Sequence, residues 1–225
     1  MSAFSLFSQP QFFFMKVTID PDSGFCFGVN KAIQTAEKEL DRGSVVYSLG
    51  EMVHNQVQMD MLKAKGLKVI THQDLPSMAG KTVMIRAHGE PPETFRLAEQ
   101  LNVKLINATC PIVSKLQEKI REVVDNESSD EVQIVIFGKP GHAEVVGLSG
   151  NAGLHPIIIF DESGLNNIDF NKPVRLFSQT TMDGERYTQL ADLIKLKMAE
   201  SGNSDFRYLA SVCKKVSGRA PALRL

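Results

Sequence analysis

Short apolar runs alternate with helix-period segments along nearly the whole chain, and this alternation confines it to a layered α/β fold with largely parallel strands. The strand candidates are KVTI near the start, then SVVYSL, LKVI, KTVMIRA and KLINATC, then QIVIFG, HPIIIF, VRLFSQ and FRYLASVC. Between them, the stretch from Gly28 to Arg42 sets Val29, Ala32, Ile33, Ala36 and Leu40 on one helical face. A second helix is expected near Val53, Val57, Met61 and Leu62. A third starts at Pro111 and turns Ile112, Val113, Leu116, Ile120 and Val123 inward, and a fourth runs from Gly184 to Ala199. Pro111 suits a first helical turn, where its missing N–H has no partner to lose. The polar stretch NESSDE (126–131) reads as a surface break, and SGNSD (201–205) as a helix end.

The strand ends carry polar and reactive side chains in two matching series. The first gives His54, His88 and Cys110, and the second gives His142, Gln179-Thr180-Thr181 and Cys213. Counterparts lie 88, 92 and 103 positions apart, so the pattern is a structural repeat with insertions. Ligands of open parallel sheets sit beyond the carboxyl ends of the strands. Two such units facing each other would pool these side chains at one central site. The expected organisation is an N-terminal extension over 1–15, a first α/β unit over 16–110, a second over 111–205 and the start of a third over 206–225.

The three cysteines are odd in number and far apart, which argues against a disulfide framework and for a reducing, cytoplasmic setting. No apolar run approaches the roughly 20 residues that span a bilayer. The Phe-rich start, MSAFSLFSQPQFFF, has no Lys or Arg before Lys16 and no small-residue cleavage pattern, so it is a poor secretory signal. Met15 is an alternative start, because MKVTID opens directly as a strand. A formal net charge of −1 excludes broad electrostatic capture of nucleic acid. Any anion must be held by local groups.

Each cysteine taken alone reads as a small buried thiol as well as a ligand. Context adds weight to the second reading for Cys26 in GFCFG and Cys110 in ATCP, since both sit where an apolar strand gives way to a helix, whose N-terminus favours a thiolate. Three thiolates can hold three irons of a cubane and leave the fourth open. His54, His88 and His142 follow strands closely among small or turn-forming neighbours, and imidazoles so placed can donate to phosphate oxygens. His72 and His155 read as surface residues. Glu144 is either a first-turn helix charge or a general acid whose pKa burial raises. Gln179-Thr180-Thr181 either caps the following helix or positions a substrate hydroxyl.

The ordered segments SGFCFGVNKAI, EMVHNQ, AHGEPPE, NATCPIVSK, GHAEVVG, SQTT and SVCKKVSGRAP resemble the LytB/IspH family of 4-hydroxy-3-methylbut-2-enyl diphosphate reductases. The resemblance implies a trefoil of similar parallel-sheet α/β units around a central cluster site, with the third unit largely missing. It implies that Cys26, Cys110 and Cys213 hold one 4Fe-4S cluster in which one iron lacks a protein ligand. It turns His54, His88 and His142 toward the substrate diphosphate, counts Thr180 and Thr181 among the substrate-binding residues, and makes Glu144 the proton-delivering carboxylate with Thr180 as its hydroxyl partner near the reacting carbon. The implied reaction is reductive dehydroxylation of (E)-4-hydroxy-3-methylbut-2-enyl diphosphate to isopentenyl and dimethylallyl diphosphates, the last step of the methylerythritol phosphate route. Electrons would come from a ferredoxin or flavodoxin type donor, since the chain shows no glycine fingerprint for a nucleotide. Neither nucleic acid nor membrane is an expected partner. The sequence departs from the family in ending at Leu225, before a Ser-x-Asn pair and a later serine that help hold the diphosphate. It also has Ala210-Ser211-Val212 before Cys213 in place of the usual Asp-Thr or Asn-Thr and Ile, and Val146 where a second carboxylate is common.

Overall fold

The computed structural model describes residues 17–18, 23–127, 131–153 and 155–218. Its framework is a pair of parallel sheets with the same topology. The first contains β1 (Val46–Leu49), β2 (Lys68–Ile70), β3 (Thr82–Ile85) and β4 (Lys104–Asn107) in the order β2-β1-β3-β4. The second contains β5 (Gln133–Phe137), β6 (Ile157–Ile159), β7 (Val174–Ser178) and β8 (Phe206–Tyr208) in the order β6-β5-β7-β8. Parallel strands need crossovers that cover both faces, so inner strands are apolar without alternation. Val83, Met84 and Ile85 on β3, and Val174, Leu176 and Phe177 on β7, are accordingly all buried.

Helices α1 (Phe27–Asp41) and α2 (Gln56–Ala64) cover one face of the first sheet, where Ala32, Ile33, Ala36, Leu40, Met59 and Leu62 meet Val46 and Met84. Helix α3 (Pro92–Gln100) and the 3-10 turn His72–Met78 cover the other. In the second sheet, α4 (Pro111–Asn126) and α5 (Ala143–Asn151) take the places of α1 and α2. There α6 (Gly184–Glu200) and the 3-10 turn Glu162–Asn167 fill the opposite face. A short α7 (Lys214–Ser217) follows Cys213. None of the helices is long and apolar enough to cross a membrane among the described residues.

Several sequence expectations shift. Val17 and Thr18 form no strand, while the rest of the expected KVTI strand, the 1–15 extension and residues 128–130 of the polar break lie outside the described residues. Helix α2 begins later than expected, after Asn55, whose side chain accepts from the Gln58 N–H at 3.0 Å. This frame buries Met59 and Leu62 and leaves Val57 71% and Met61 53% exposed, whereas Val53 is buried in the loop before the cap. Helix α3 was not anticipated, because only Thr94 and Ala98 of its nine residues are buried and its apolar stripe is thin. The segment expected to open a third unit at 206 instead pairs in parallel with β7, Val174 against Phe206 and Leu176 against Tyr208. It closes the second sheet as β4 closes the first. Arg175 on β7 secures this edge from within, bonding Glu127 at the end of α4 through Nε at 2.9 Å and Asp205 beside β8 through Nη1 at 2.8 Å.

The two units meet at backbone-close contacts. A Cβ built on Gly150 of α5 would stand 3.1 Å from Pro91 Cα, and one built on Gly147 would stand 2.9 Å from Gln117 Nε2. The same amide would meet a Cβ on Gly89 at 2.6 Å, so Gln117 fills the space that Gly89 and Gly147 leave. Replacing Gly150 by Ala should gain about 1 kcal/mol of helix propensity but lose roughly 1–3 kcal/mol by overpacking against rigid proline backbone. A net loss is expected in the urea-unfolding midpoint, and an unchanged or higher midpoint would show that the units do not pack there.

Candidate functional site

Each unit sends a histidine into the gap between them. Gly50 closes β1 by donating its N–H to Ile70 O at 2.9 Å, and Gly138 closes β5 by donating to Ile159 O at the same distance. Four residues on from these glycines stand His54 and His142. His88 follows β3. The ring centroids of His54, His88 and His142 lie 5.4 to 6.4 Å apart. They are the one group of three His, Cys or carboxylate side chains, among the described residues, whose ligand atoms all fall within 4.8 Å. His72 and His155 stay apart from the trio, His72 Nε2 lying 2.6 Å from Glu90 Oε2 and His155 exposed.

The electrostatics at His88 and His142 favour neutral rings. Burial pushes His88 down to about 4, and the nearby Arg86 charge and the other two imidazoles add to the shift. His142 is lowered first by burial and then by His54, Arg86 and Lys139. His142 also caps α5, its Nδ1 accepting from the Glu144 N–H at 3.2 Å, which leaves Nε2 to carry the proton of the neutral ring. His88 Nδ1 is buried without a partner. An anion entering beside His88 and His142 opposes the effect of burial and favours their protonated forms.

Glu144 lies in the first turn of α5 and is 2% exposed. The Thr180 N–H donates to Oε1 at 2.6 Å and the Thr180 hydroxyl to Oε2 at 3.0 Å. Burial raises its pKa above the ordinary carboxylate range, while those two Thr180 hydrogen bonds pull the other way. The expected capping role for the Gln179-Thr180-Thr181 stretch is not realised, because Asp183 caps α6 by accepting from the Arg186 N–H at 2.8 Å. Gln179 instead bonds the Lys139 N–H through Oε1 at 3.0 Å and the exposed Thr181 hydroxyl through Nε2 at 2.7 Å.

The three thiols are free and occupy matching positions. Cys26, Cys110 and Cys213 are the N-cap residues of α1, α4 and α7, and none makes a side-chain capping bond. The Cys110 N–H donates to Ala87 O at 2.9 Å and the Cys213 N–H to Thr180 O at 2.8 Å. These two bonds set one cysteine beside the His88 loop and another beside the Glu144 partner. A Cβ built on Gly28 would meet Cys110 Sγ at 2.5 Å, so a glycine in the first turn of α1 lets the Cys26 end approach Cys110. Sequence reasoning missed Arg86, which lies between β3 and His88; its signal was a lone cation ending an apolar strand.

The comparisons with known proteins agree with this architecture. The family model described as LytB protein matches residues 17–225. A protein of Bacteroides thetaiotaomicron named 4-hydroxy-3-methylbut-2-enyl diphosphate reductase is 44% identical over 210 residues, covering 93% of this chain and 72% of its own length. A protein of Porphyromonas gingivalis with the same name is 43% identical, with 91% and 71% covered. Among solved structures, the E-1-hydroxy-2-methyl-but-2-enyl-4-diphosphate reductase from Plasmodium falciparum superposes with a TM-score of 0.78 at 25% identity, covering 89% of this chain and 61% of that one. A second, titled (E)-4-hydroxy-3-methyl-but-2-enyl diphosphate reductase, gives 0.76 at 26% identity, with 92% and 72% covered. The chain thus spans 61% to 72% of the length of these relatives. With nearly the whole chain matched by the family model and relatives above 40% identity, this chain belongs to the LytB family, whose relatives named here are diphosphate reductases.

Proposed function

We propose that this chain carries out the reductive dehydroxylation of (E)-4-hydroxy-3-methylbut-2-enyl diphosphate to isopentenyl and dimethylallyl diphosphates. One observation carries the reading: a buried carboxyl group, Glu144, is held by Thr180 between a cysteine-bearing strand end and a trio of imidazoles. The overall step takes up two electrons and two protons, breaks the substrate C–O bond, forms a C–H bond and releases water.

His54, His88 and His142 bind the diphosphate, which fixes the reacting end of the substrate toward Glu144. Burial raises the pKa of Glu144 and so favours the protonated carboxyl that would deliver a proton to the departing hydroxyl. The Thr180 hydroxyl orients that carboxyl by donating to Oε2, and its oxygen can accept a hydrogen bond from the substrate hydroxyl. The exposed Thr181 hydroxyl borders the same site.

Cys26, Cys110 and Cys213 would hold a 4Fe-4S cluster. Their free, uncapped state and the approach of Gly28 to Cys110 support that fit. A tetrahedral zinc would hold thiolates about 4 Å apart, a closer group than these thiols form. When bound, the cluster supplies single electrons and one coordination position open to substrate. A ferredoxin or flavodoxin type protein is the proposed donor, and free thiols fit a cytoplasmic setting.

Anaerobic reconstitution followed by a substrate assay tests the reading. Visible absorbance of an iron-sulfur cluster and formation of both products are expected, and cluster assembly without turnover would favour a non-catalytic cluster-binding relative. Glu144→Gln should keep the cluster absorbance and lose about 100-fold or more in kcat; full activity would remove Glu144 as the proton donor.

Diphosphate binding should also be linked to pH through His88. The free ring titrates at about 4, and an adjacent anion raises that value. Between the free and bound values, binding takes up a proton, so affinity rises as pH falls. Calorimetric titration with inorganic pyrophosphate from pH 7.5 down to 5.5 (about the working span of such buffers) should show a shallower rise in His88→Asn than in the unsubstituted protein. Identical slopes would exclude His88 as the group that gains the proton.

A further inference from the structure

Arg86 and Gln179 occupy equivalent places in the two units. Each is the first residue after a central strand, β3 or β7, and each lies across the glycine that ends the neighbouring strand. A Cβ on Gly50 would meet Arg86 Cζ at 2.6 Å, and one on Gly138 would meet Gln179 Oε1 at 3.1 Å. Each also bonds the backbone of the next residue, Arg86 donating through Nη1 to Glu51 O at 3.3 Å and Gln179 accepting from the Lys139 N–H at 3.0 Å. An amide thus does this bracing work in the second unit with both ends of its side chain satisfied.

The first unit does the same work with a full positive charge left over. Arg86 is half-buried, its Nε is buried without a partner, and no ion pair involves it among the described residues. Burial lowers its pKa, and Glu90 and Glu51 are the acidic groups whose charges reach it, but neither forms an ion pair with it; a neutral side chain bracing Gly50 would carry no such cost. The charge lies between the loop leading to His54 and the strand end leading to His88. It also opposes protonation of His88 and His142, which shows how near the imidazole trio it stands.

We propose that Arg86 is a fourth anion-binding side chain of the His54–His88–His142 pocket, supplying its permanent positive charge to the substrate's diphosphate oxygens. The proposal rests on the diphosphate reading of that pocket. It gives the pocket one cation that does not depend on pH, and a planar fork of donors suited to phosphate oxygens. The same charge makes the three imidazoles a poor resting place for a divalent metal ion.

The test is the affinity of the reconstituted protein for inorganic pyrophosphate, measured by calorimetry for the unsubstituted chain, Arg86→Gln and Arg86→Lys. Arg86→Gln copies the bracing side chain of the second unit, so its melting temperature should stay near that of the unsubstituted protein. Its affinity should fall on the order of tenfold to a hundredfold. Arg86→Lys should lie between the two, because it keeps the charge and loses the fork. In turnover, KM should rise more than kcat falls, a split that a purely structural role would not give. Pyrophosphate binding that is equal in all three proteins overturns the proposal while leaving the diphosphate reading standing. If Arg86→Gln does not fold, Arg86→Lys binding at unchanged affinity overturns it. No binding by the unsubstituted protein overturns the diphosphate reading and this proposal together.

Discussion

The close seating of α5 against the loop after β3 is the contact on which the site depends. His88 immediately precedes Gly89, while His142 and Glu144 start the helix that carries Gly147 and Gly150. The 5.4 Å separation of the His88 and His142 rings is therefore set by how nearly two backbones can approach. Glycine at the contact removes the side-chain layer that normally keeps a helix about 8–10 Å from its neighbour. Gln117 and Pro91 then complete the packing, so the pocket is formed by main-chain geometry before any ligand is present.

Around that joint the two units repeat one plan with different chemistry. The shared topology places a glycine, a histidine, a polar strand end and a cysteine at corresponding points, and the same backbone bonds recur at each. The differences divide the labour. The first unit has Arg86 and His88 where the second has Gln179 and the Thr180-Thr181 hydroxyls, and only the second has a buried carboxylate at the start of its helix. Positive and basic side chains thus weigh toward the first unit, hydroxyls and the Glu144 carboxyl toward the second, with His142 joining the two.

Much of this was legible in the sequence, because strands buried on both faces read as continuous apolar runs and their ends are marked by small residues. The pairing of His54 with His142 and of Cys110 with Cys213 followed from counting strands. Helix α2 was misplaced because nine residues span too few turns for Val57 and Met61 to be told from Met59 and Leu62 by period alone. The role of β8 was hidden for a different reason: three residues with mixed exposure carry little pattern, and hydrogen bonding to β7 decides which sheet they join. Arg86 was missed since its meaning depends on the absence of an ion pair, a fact of three dimensions. The depth at which Glu144 is buried likewise comes from α5 leaning on β7, which no local spacing encodes.

The cysteines sit at seams. Cys110 finishes the strand layer of the first unit and caps the opening helix of the second, and Cys213 stands in the same relation to whatever α7 leads into. A thiol shared in this way reports on two neighbours at once. Any fluctuation that parts adjoining units must also drag a sulfur away from its position, so the mechanical integrity of the assembly and the mutual spacing of its thiols become one property.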